Sequence, residues 1–269
     1  MSIAGSDCSG GAGIQADLKT FAAYGVYGMS VITSVVAENT SHVIRSQNIT
    51  PDIIEDQMDA VFEDIGADAV KVGMLPSSAC MEAVARQLRK YQPRNIVVDP
   101  VMIAKGGSPL MQPNAVDTLI CEILPLADLL TPNIPEACRI SGLPIETPAD
   151  QKRAAEKIAG MGVKAVLVKG GHARGDAEDV LFDGIRFYSF RAGRIPTKNT
   201  HGTGCTLSSA IAANLALGLD LSEAVAEAKD YVTTAILHAL PLGKGCGPTN
   251  HFYQLYRNGL QRGADSDER

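Results

Sequence analysis

The apolar and polar positions of this chain alternate between two kinds of segment. Continuous apolar, β-branched runs are typical of strands buried on both faces, and apolar residues at helical spacing indicate amphipathic helices. The pattern predicts strands at 2–5, 29–37, 68–74, 95–102, 127–133 and 165–171. It predicts helices at 13–24, 51–65, 77–91, 113–124, 134–141, 148–161, 204–217 and 221–239. An extended flap is predicted at 42–49, and a hairpin at 178–190 that turns at Asp183–Gly184.

Strand–helix units that repeat in this way favour an α/β protein with a mostly parallel sheet covered on both faces by helices. No linker or internal repeat divides the chain, so we expect one domain over 1–260. The polar segment 261–269 is expected to be a disordered tail. The first strand, at four residues, is short for a central position.

Composition narrows the class of partner. The net charge is -6 and there is no block of basic residues, which argues against nucleic acid as a ligand. The six cysteines form no CxxC pair, and the start of the chain lacks the charged and apolar regions of a leader peptide. No apolar run reaches the roughly 18 residues of a membrane span. We therefore expect a reduced, cytoplasmic protein that does not enter a membrane.

Small, polar or glycine-rich segments follow most of the predicted strands. Ligands of open parallel sheets bind beyond the carboxyl ends of the strands, so these segments are expected to form one site. They are GSDCSGGAG (5–13), AENT (37–40), GML (73–75), DP (99–100), TPNIPE (131–136) and KGGH (169–172). The first of them matches neither a Walker A loop nor GxGxxG, and its alternative interpretation is a tight turn.

The segment HGTGC (201–205) opens a predicted helix and is the most informative of these motifs. Gly202 and Gly204 permit a turn whose N–H groups converge on an anion, and the helix start adds positive partial charge. The alternative is a glycine-rich N-cap without a ligand. His201 is interpreted as a surface or hydrogen-bonding residue rather than a metal ligand.

Cys205 ends this turn and has three possible roles. A helix N-terminus lowers the pKa of a thiol, so a thiolate could accept a proton from a substrate hydroxyl. Covalent catalysis is a second role, and simple packing of a small buried residue is a third.

Polar groups at three other strand ends could serve a phosphate ligand. Asp99, Asn133 and Glu136 offer the hard oxygen atoms that suit Mg²⁺, although capping next to proline would explain them equally well. Lys169 could meet phosphate oxygens as a point charge, or it could be solvated.

Taken together, these segments resemble a known family. IAGSDCSGGAGIQADLKTF, VITSVVAENT, KVGML, VVDPVM, TPNIPEA, VLVKGGH, NTHGTGCTLSSAIAA and GKGCGP are similar to those of ribokinase-superfamily small-molecule kinases. The type is the hydroxymethylpyrimidine kinase/phosphomethylpyrimidine kinase of thiamine biosynthesis. The resemblance implies a ribokinase-like three-layer α/β/α sandwich. It also implies transfer of phosphate from ATP, with Mg²⁺, to 4-amino-5-hydroxymethyl-2-methylpyrimidine and then to its monophosphate.

The resemblance also implies roles for individual residues. Glu38 would read the amino group and a ring nitrogen of the pyrimidine. The residues expected around the same ring are Gly5, Ala12, Asp17, Val36 and Met74. The turn of Gly202, Thr203 and Gly204 would be the anion hole, with Cys205 as the base. The residues expected to face the nucleotide and magnesium are Lys169, Asn133, Thr203, Glu136 and Asp99.

Two other functions stay open. Pyridoxal kinases share the fold, and Glu38 followed by Asn39 is what favours an aminopyrimidine over pyridoxal or pyridoxine. The other is a pyrimidine-binding module without catalysis, which an intact anion hole argues against. The family further suggests a homodimer, with 42–49 as a flap over the pocket. No extension of the thiamine phosphate synthase type is expected.

Overall fold

A nine-stranded sheet forms the centre of the molecule. The computed structural model of the chain describes residues 1–103, 107, 110–112, 115–172 and 177–259. The strands are β1 (Ser2–Asp7), β2 (Ser30–Glu38), β3 (Val43–Asn48), β4 (Val70–Val72), β5 (Ile96–Val98), β6 (Leu129–Leu130), β7 (Ala165–Val168), β8 (Ala177–Phe182) and β9 (Phe187–Ala192). Their order is β3-β2-β1-β4-β5-β6-β7-β8-β9. The six neighbouring strands β2, β1, β4, β5, β6 and β7 pair in parallel. At the edges, β3 pairs antiparallel with β2, β8 with β7, and β9 with β8. The predicted mostly parallel sheet is confirmed.

Helices follow the strands and cover both faces of the sheet. They are α1 (Gly13–Ala23), α2 (Pro51–Asp64), α3 (Ser78–Tyr91), α4 (Ala115–Thr118), α5 (Ile134–Ser141), α6 (Pro148–Ala159), α7 (Thr203–Ala216), α8 (Leu221–Leu237) and α9 (Tyr253–Asn258). α4 continues into a π-helical turn at Leu119–Ile123. None of the helices in the described residues is long and apolar enough to cross a membrane.

Alternate side chains of each central strand enter two separate cores, because successive residues of a strand point to opposite faces. In β5, Ile96 and Val98 belong to the core beneath α2, α3 and α6, whereas Val97 belongs to the core beneath α1, α7 and α8. Both cores contain side chains that are fully buried. The arrangement confirms the three-layer α/β/α sandwich.

Several element boundaries differ from the predicted ones. β1 continues to Asp7 instead of ending at residue 5, because Ser6 and Asp7 stay paired with β2 after a register shift at Ala4/Gly5. The first strand is therefore six residues long. α9 was not predicted, because its short polar segment has no buried residue to produce a helical pattern. The predicted tail at 261–269 lies outside the described residues.

The strand order changes direction between β1 and β4. From β1 the chain proceeds to β2 and β3 on one side, and from β4 it proceeds to β7 on the other. The connections at such a point leave in opposite directions and open a crevice at the carboxyl ends of the strands. The fold thus forms a crevice above β1 and β4 that is suited to a ligand.

Candidate active site

Two glycine-rich loops lie against each other at the carboxyl end of β1. Gly11 belongs to the first loop (8–12) and Gly202 to the second (199–202). Gly202 has a φ of 77°, and a Cβ at this position would lie 1.7 Å from the carbonyl oxygen of Gly11. Only glycine fits such an approach, so the contact explains why the second loop needs glycine at this point.

Asp7 joins the same two loops through its carboxylate. Its Oδ2 accepts hydrogen bonds from the N–H of Gly11 (3.1 Å) and Ala12 (2.8 Å), and from Nε2 of His201 (2.9 Å). Burial acts to raise the pKa of Asp7, but the hydrogen bonds from His201, Ser9 and Ala12 outweigh it and lower the pKa to about 2. Asp7 is therefore an anion that orders both loops. His201 was predicted to be a surface or hydrogen-bonding residue. It is only 7% exposed and is hydrogen-bonded to Asp7, so the second of these alternatives is confirmed.

The second loop leads directly into the N-terminus of α7. Gly202 is the N-cap residue, and its carbonyl oxygen accepts from both the N–H (2.9 Å) and the Oγ1 (2.8 Å) of Thr206. Thr203 Oγ1 donates to the carbonyl oxygen of Thr200 at 2.8 Å. The remaining N–H groups of the first turn, at Gly204 and Cys205, have no carbonyl to bond within the helix. Together with the helix dipole they make this end suited to an anion.

Cys205 lies in the first turn of α7 and is partly buried. Burial raises the pKa of the thiol to about 11, and the nearby positive charge of Lys71 only partly opposes this effect. The expectation of a lowered pKa was therefore wrong, because removal from water destabilises the thiolate more than the charge of Lys71 stabilises it. At neutral pH Cys205 is a thiol.

A buried ion pair lies beneath Cys205, and sequence reasoning missed half of it. Lys71 of β4 donates to both carboxylate oxygens of Asp17, at 2.9 Å and 2.8 Å, and both side chains are 0% exposed. Ser2 and Ser209 also donate to this carboxylate, at 2.6 Å and 2.7 Å. Asp17 was expected beside the pyrimidine, but in the structure its carboxylate is occupied inside the protein. Lys71 could have been suspected from sequence as a lone charge within an apolar strand.

Lys169 and Asp99 form a second ion pair in front of α7. Lys169 Nζ lies 2.7 Å from Asp99 Oδ1, and the two side chains are 13% and 3% exposed. A Cβ at Gly204 would lie 3.3 Å from Asp99 Oδ2 and 3.5 Å from Lys169 Nζ, so this pair adjoins the first turn of the helix. Burial lowers the pKa of Lys169, but Asp99 and Glu136 outweigh it and the pKa is raised. A permanent cation therefore adjoins the proposed anion site.

Asn133 and Glu136 form a capping box at the start of α5. Asn133 Oδ1 accepts from the N–H of Glu136 at 2.9 Å, and Glu136 Oε2 accepts from the N–H of Asn133 at 2.8 Å. These two hydrogen bonds confirm the interpretation of Asn133 and Glu136 as capping residues. Burial, and to a lesser extent the charge of Asp99, raise the pKa of Glu136 to about 7, although Lys169 acts in the opposite direction. A cation bound near this carboxylate would stabilise its ionised form.

Glu38 ends β2 on the other side of the crevice. It forms a cluster with Asp7 and His201 in which one ligand atom from each residue lies within 4.8 Å of the others. No other group of three such side chains occurs in the described part of the chain. Burial and the charge of Asp7 raise the pKa of Glu38, and His201 partly opposes them. The half-buried carboxyl group is placed to meet a polar, hydrogen-bonding ligand.

The residues expected around the pyrimidine ring lie in or just after β1, β2 and β4. Val36 pairs with Asp7 across β1 and β2 and is 2% exposed. A Cβ at Gly5 would lie 3.0 Å from Met74 Sδ, so these two residues are neighbours. Ala12 follows Gly11 in the first loop and is half-buried. These residues surround the same end of β1, whereas Asp17 lies deeper.

A segment that sequence reasoning gave no structural role connects the two sides of the site. Gly245 and Cys246 donate from their N–H groups to Oγ1 and O of Thr40, at 3.0 Å and 2.7 Å. Cys246 Sγ donates to the carbonyl oxygen of Lys198 at 2.6 Å. The turn after Glu38 is therefore tied to the segment that precedes the second glycine loop.

Comparison with known proteins agrees with this geometry. Residues 7–250 match the family model described as phosphomethylpyrimidine kinase. The chain is 51% identical to the hydroxymethylpyrimidine/phosphomethylpyrimidine kinase of Rhizobium meliloti, over 96% of this chain and 98% of that protein. It is also 51% identical to the thiamine biosynthesis bifunctional protein of Geobacter sulfurreducens, over 93% of this chain, and spans about half (51%) of that relative.

The fold has solved counterparts as well. The structure of an ADP complex of Bacillus subtilis pyridoxal kinase superposes with a TM-score of 0.87 at 41% identity, and covers 93% of this chain and 96% of that one. The sheet, the helix start of α7 and the carboxylate at the end of β2 thus all lie within the residues that match the family model, 7–250. The chain belongs to the phosphomethylpyrimidine kinase family, whose ribokinase-like members are phosphotransferases.

Proposed function

We propose that this protein transfers the γ-phosphoryl group of ATP to the hydroxymethyl group of 4-amino-5-hydroxymethyl-2-methylpyrimidine, and then phosphorylates the monophosphate. One observation carries the proposal: the Lys169–Asp99 pair adjoins Gly204 in the first turn of α7. Free N–H groups, a helix dipole and a fixed ammonium group converge at this point. Phosphoryl transfer depends mainly on such positioning and charge stabilisation.

The acceptor would bind on the opposite side of the crevice, at Glu38. A half-buried carboxyl group can accept a hydrogen bond from an exocyclic amino group and share a proton with a ring nitrogen. The raised pKa of Glu38 supports such sharing, because it brings the proton affinity of the carboxyl closer to that of an aminopyrimidine nitrogen. Gly5, Ala12, Val36 and Met74 would line the flat faces of the ring.

The thiol of Cys205 would support the anion-binding turn. With a pKa of about 11, it is protonated at neutral pH and can donate a hydrogen bond to an oxygen held at the start of α7. A loose phosphoryl-transfer transition state requires little help from a base, so a thiol is compatible with the reaction. Gly202, Thr203 and Gly204 would supply the N–H groups.

Magnesium fits the carboxylates of Asp99 and Glu136. Both are buried, and a cation would offset the cost of keeping two neighbouring carboxylates ionised. The ion would neutralise charge on the phosphate oxygens, and Asn133 would orient Glu136 through the capping box. Mg²⁺ usually takes only one or two ligands from protein carboxylates and the others from substrate phosphate and water, so two carboxylates are sufficient here.

The test is ATP-dependent phosphorylation of the hydroxymethylpyrimidine and of pyridoxal, side by side, with products resolved by mass. We expect the pyrimidine monophosphate and then the diphosphate, with little pyridoxal phosphate. The matched variant is Glu38→Gln, which should raise KM for the pyrimidine about tenfold or more, as loss of a charge-assisted hydrogen bond does. An unchanged KM in this variant would show that Glu38 does not bind the pyrimidine. No turnover of either substrate would favour a binding module without catalysis.

Pyridoxal is the second candidate substrate, and the likeness to a pyridoxal kinase structure is the observation that favours it. Both substrates present a hydroxymethyl group on an aromatic ring. Efficient pyridoxal phosphorylation with slow turnover of the pyrimidine would retain the phosphoryl chemistry and overturn the assignment of the acceptor.

We also propose that the protein is a cytoplasmic homodimer whose residues 1–260 act as one unit. An exposed edge strand, β3, supports association, because its unpaired backbone groups can join another chain. Ile44 on this strand is 68% exposed. Light scattering of the protein and of Ile44→Lys tests the proposal, and a monomeric wild-type protein would contradict it.

A further inference from the structure

The ion pair of Lys71 and Asp17 lies fully buried beneath Cys205, and the proposed reaction gives it no role. Burying two charges is costly, and apolar side chains of similar volume often stabilise a fold at least as well. Lys71 also limits its neighbour, because a Cβ at Gly73 would lie 2.6 Å from Lys71 Nζ. The ammonium group therefore extends along β4 towards the carboxyl end of the sheet, where the ligand would bind.

Two contacts connect α1 with α7. Ser209 donates to Asp17 at 2.7 Å. Closer to the start of each helix, a Cβ at Gly202 would lie 3.2 Å from the Cα of Ala12, so the N-terminal ends of α7 and α1 also lie against each other. The hydrogen bond of Ser209 fixes the relative height of the two helices, and the contact between their N-terminal ends depends on that height.

We propose that Asp17, Lys71 and Ser209 are positioning residues for phosphoryl transfer, which hold the Cys205 turn of α7 against the N-terminus of α1. Lys71 fixes the carboxylate of Asp17 from β4, and Asp17 in turn fixes Ser209. All three side chains are fully buried, so they would act on the reaction through the position of α7. The inference rests on the proposed function of the Cys205 turn.

The chain offers a matched pair of variants, because two serines donate to the same carboxylate. Ser209 lies on α7, and Ser2 lies at the start of β1, with bonds of 2.7 Å and 2.6 Å. Ser209→Ala and Ser2→Ala each remove one hydroxyl donor and leave Asp17 paired with Lys71. The Tm of both variants should therefore be lowered by a similar number of degrees.

The two variants should differ in chemistry. We expect Ser209→Ala to lower kcat about tenfold or more while changing KM for the pyrimidine less than about threefold, since small displacements of reacting groups are costly in rate. Ser2→Ala should keep kcat within about twofold, because β1 keeps its register with β2 and β4. Equal losses of kcat in both variants, or an unchanged kcat in Ser209→Ala, would overturn the proposal.

A second readout needs no substrate and so separates this proposal from the proposed function. Carboxamidomethylation of Cys205 by iodoacetamide is followed by peptide mass analysis in the full chain. Ser209→Ala should change the labelling rate of Cys205 at least about threefold, because the first turn of α7 is no longer held against α1, whereas Ser2→Ala should not. If the wild-type protein phosphorylates neither substrate but this difference in labelling is found, the proposed function fails and the positioning role stands. Equal labelling in both variants would overturn the positioning role.

Discussion

His201 Nε2 lies 2.9 Å from Asp7 Oδ2, although the two residues are 194 positions apart in the chain. The contact joins the loop that follows β1 to the loop that begins α7. Glu38 lies beside both residues. The half of the site expected to recognise the ring and the half expected to stabilise the phosphoryl group are thus connected through one carboxylate.

The charge of Asp7 should be visible in the pH dependence of stability. Its folded-state pKa of about 2 is below the ordinary value of 3.8, so ionised Asp7 stabilises the fold above pH 3.8, and this contribution is lost as the pH falls towards 2. We expect Asp7→Asn to be less stable by about 2 kcal/mol at pH 7, with a difference that shrinks between pH 4 and 2. Urea unfolding at several pH values measures it.

The partner of Asp7 provides the control. His201→Asn leaves the backbone donors of Gly11 and Ala12 in place. This variant should therefore lose only part of the stabilisation. A constant difference between wild type and Asp7→Asn from pH 7 down to pH 2 would contradict the assignment.

Gly202 should not tolerate a side chain. Its positive φ and the approach to Gly11 leave no room for a Cβ, so Gly202→Ala should displace the second glycine loop and abolish detectable turnover. Gly218→Ala is the matched control: it also has a positive φ (91°), but no atom lies within 4 Å of its Cβ position. The control should cost only about 1–2 kcal/mol in unfolding free energy and keep its kcat. Full activity in Gly202→Ala would show that the two loops need not touch.

Cys205 should react slowly with iodoacetamide at pH 7, since burial raises its pKa to about 11. Cys8 is exposed and serves as an internal reference in the same sample. Labelling of Cys205 should increase with pH up to about 11 and stay far below that of Cys8 at neutral pH. Rapid labelling of Cys205 at pH 7 would contradict this prediction and indicate that its side chain is a thiolate.

Replacement of the thiol separates its roles in turnover. Cys205→Ala should lower kcat strongly and change pyrimidine binding less. Cys205→Ser retains a hydrogen-bond donor, so it should keep more activity than Cys205→Ala if the thiol acts by donation. Equal activity of the wild-type and Ala proteins would leave Cys205 as a packing residue.

Lys169→Met should raise KM for ATP and lower kcat, together about 100-fold or more in kcat/KM, because it removes the buried cation beside the start of α7. Lys164→Met is the control, since Lys164 also pairs with an aspartate, Asp128 at 2.6 Å, but is 77% exposed. Exposed ion pairs contribute little, so this control should retain wild-type kinetics. Similar losses in both variants would indicate a general effect of charge.

Much of the fold could be predicted from sequence because strands buried on both faces leave an unmistakable apolar pattern. The run at 29–37 is one example, and β2 occupies nearly all of it. Boundaries were less predictable. The extension of β1 to Asp7 depends on pairing with β2, which a pattern of hydrophobicity does not contain.

The site was predictable where backbone geometry demands a residue type. Glycine at 202 and an N-cap at the start of α7 follow from local chemistry. The state of Cys205 was not predictable, because its pKa depends on burial between α1, α7 and β4, three elements far apart in sequence. Lys71 was missed for the same reason: its partner Asp17 is 54 positions away.

The contacts that complete the site are among the most distant in the chain. Asp7 with His201, Asp17 with Ser209 and Thr40 with Gly245 are separated by 194, 192 and 205 positions. Contacts of such separation form late, because the entropy of closing a long loop must first be overcome. During synthesis, the strands of the central sheet can therefore associate before the ribosome has released the residues that make them an enzyme. A nascent chain ending before α7 would contain all nine strands of the described sheet, but not the helix start at which we propose that phosphate is bound.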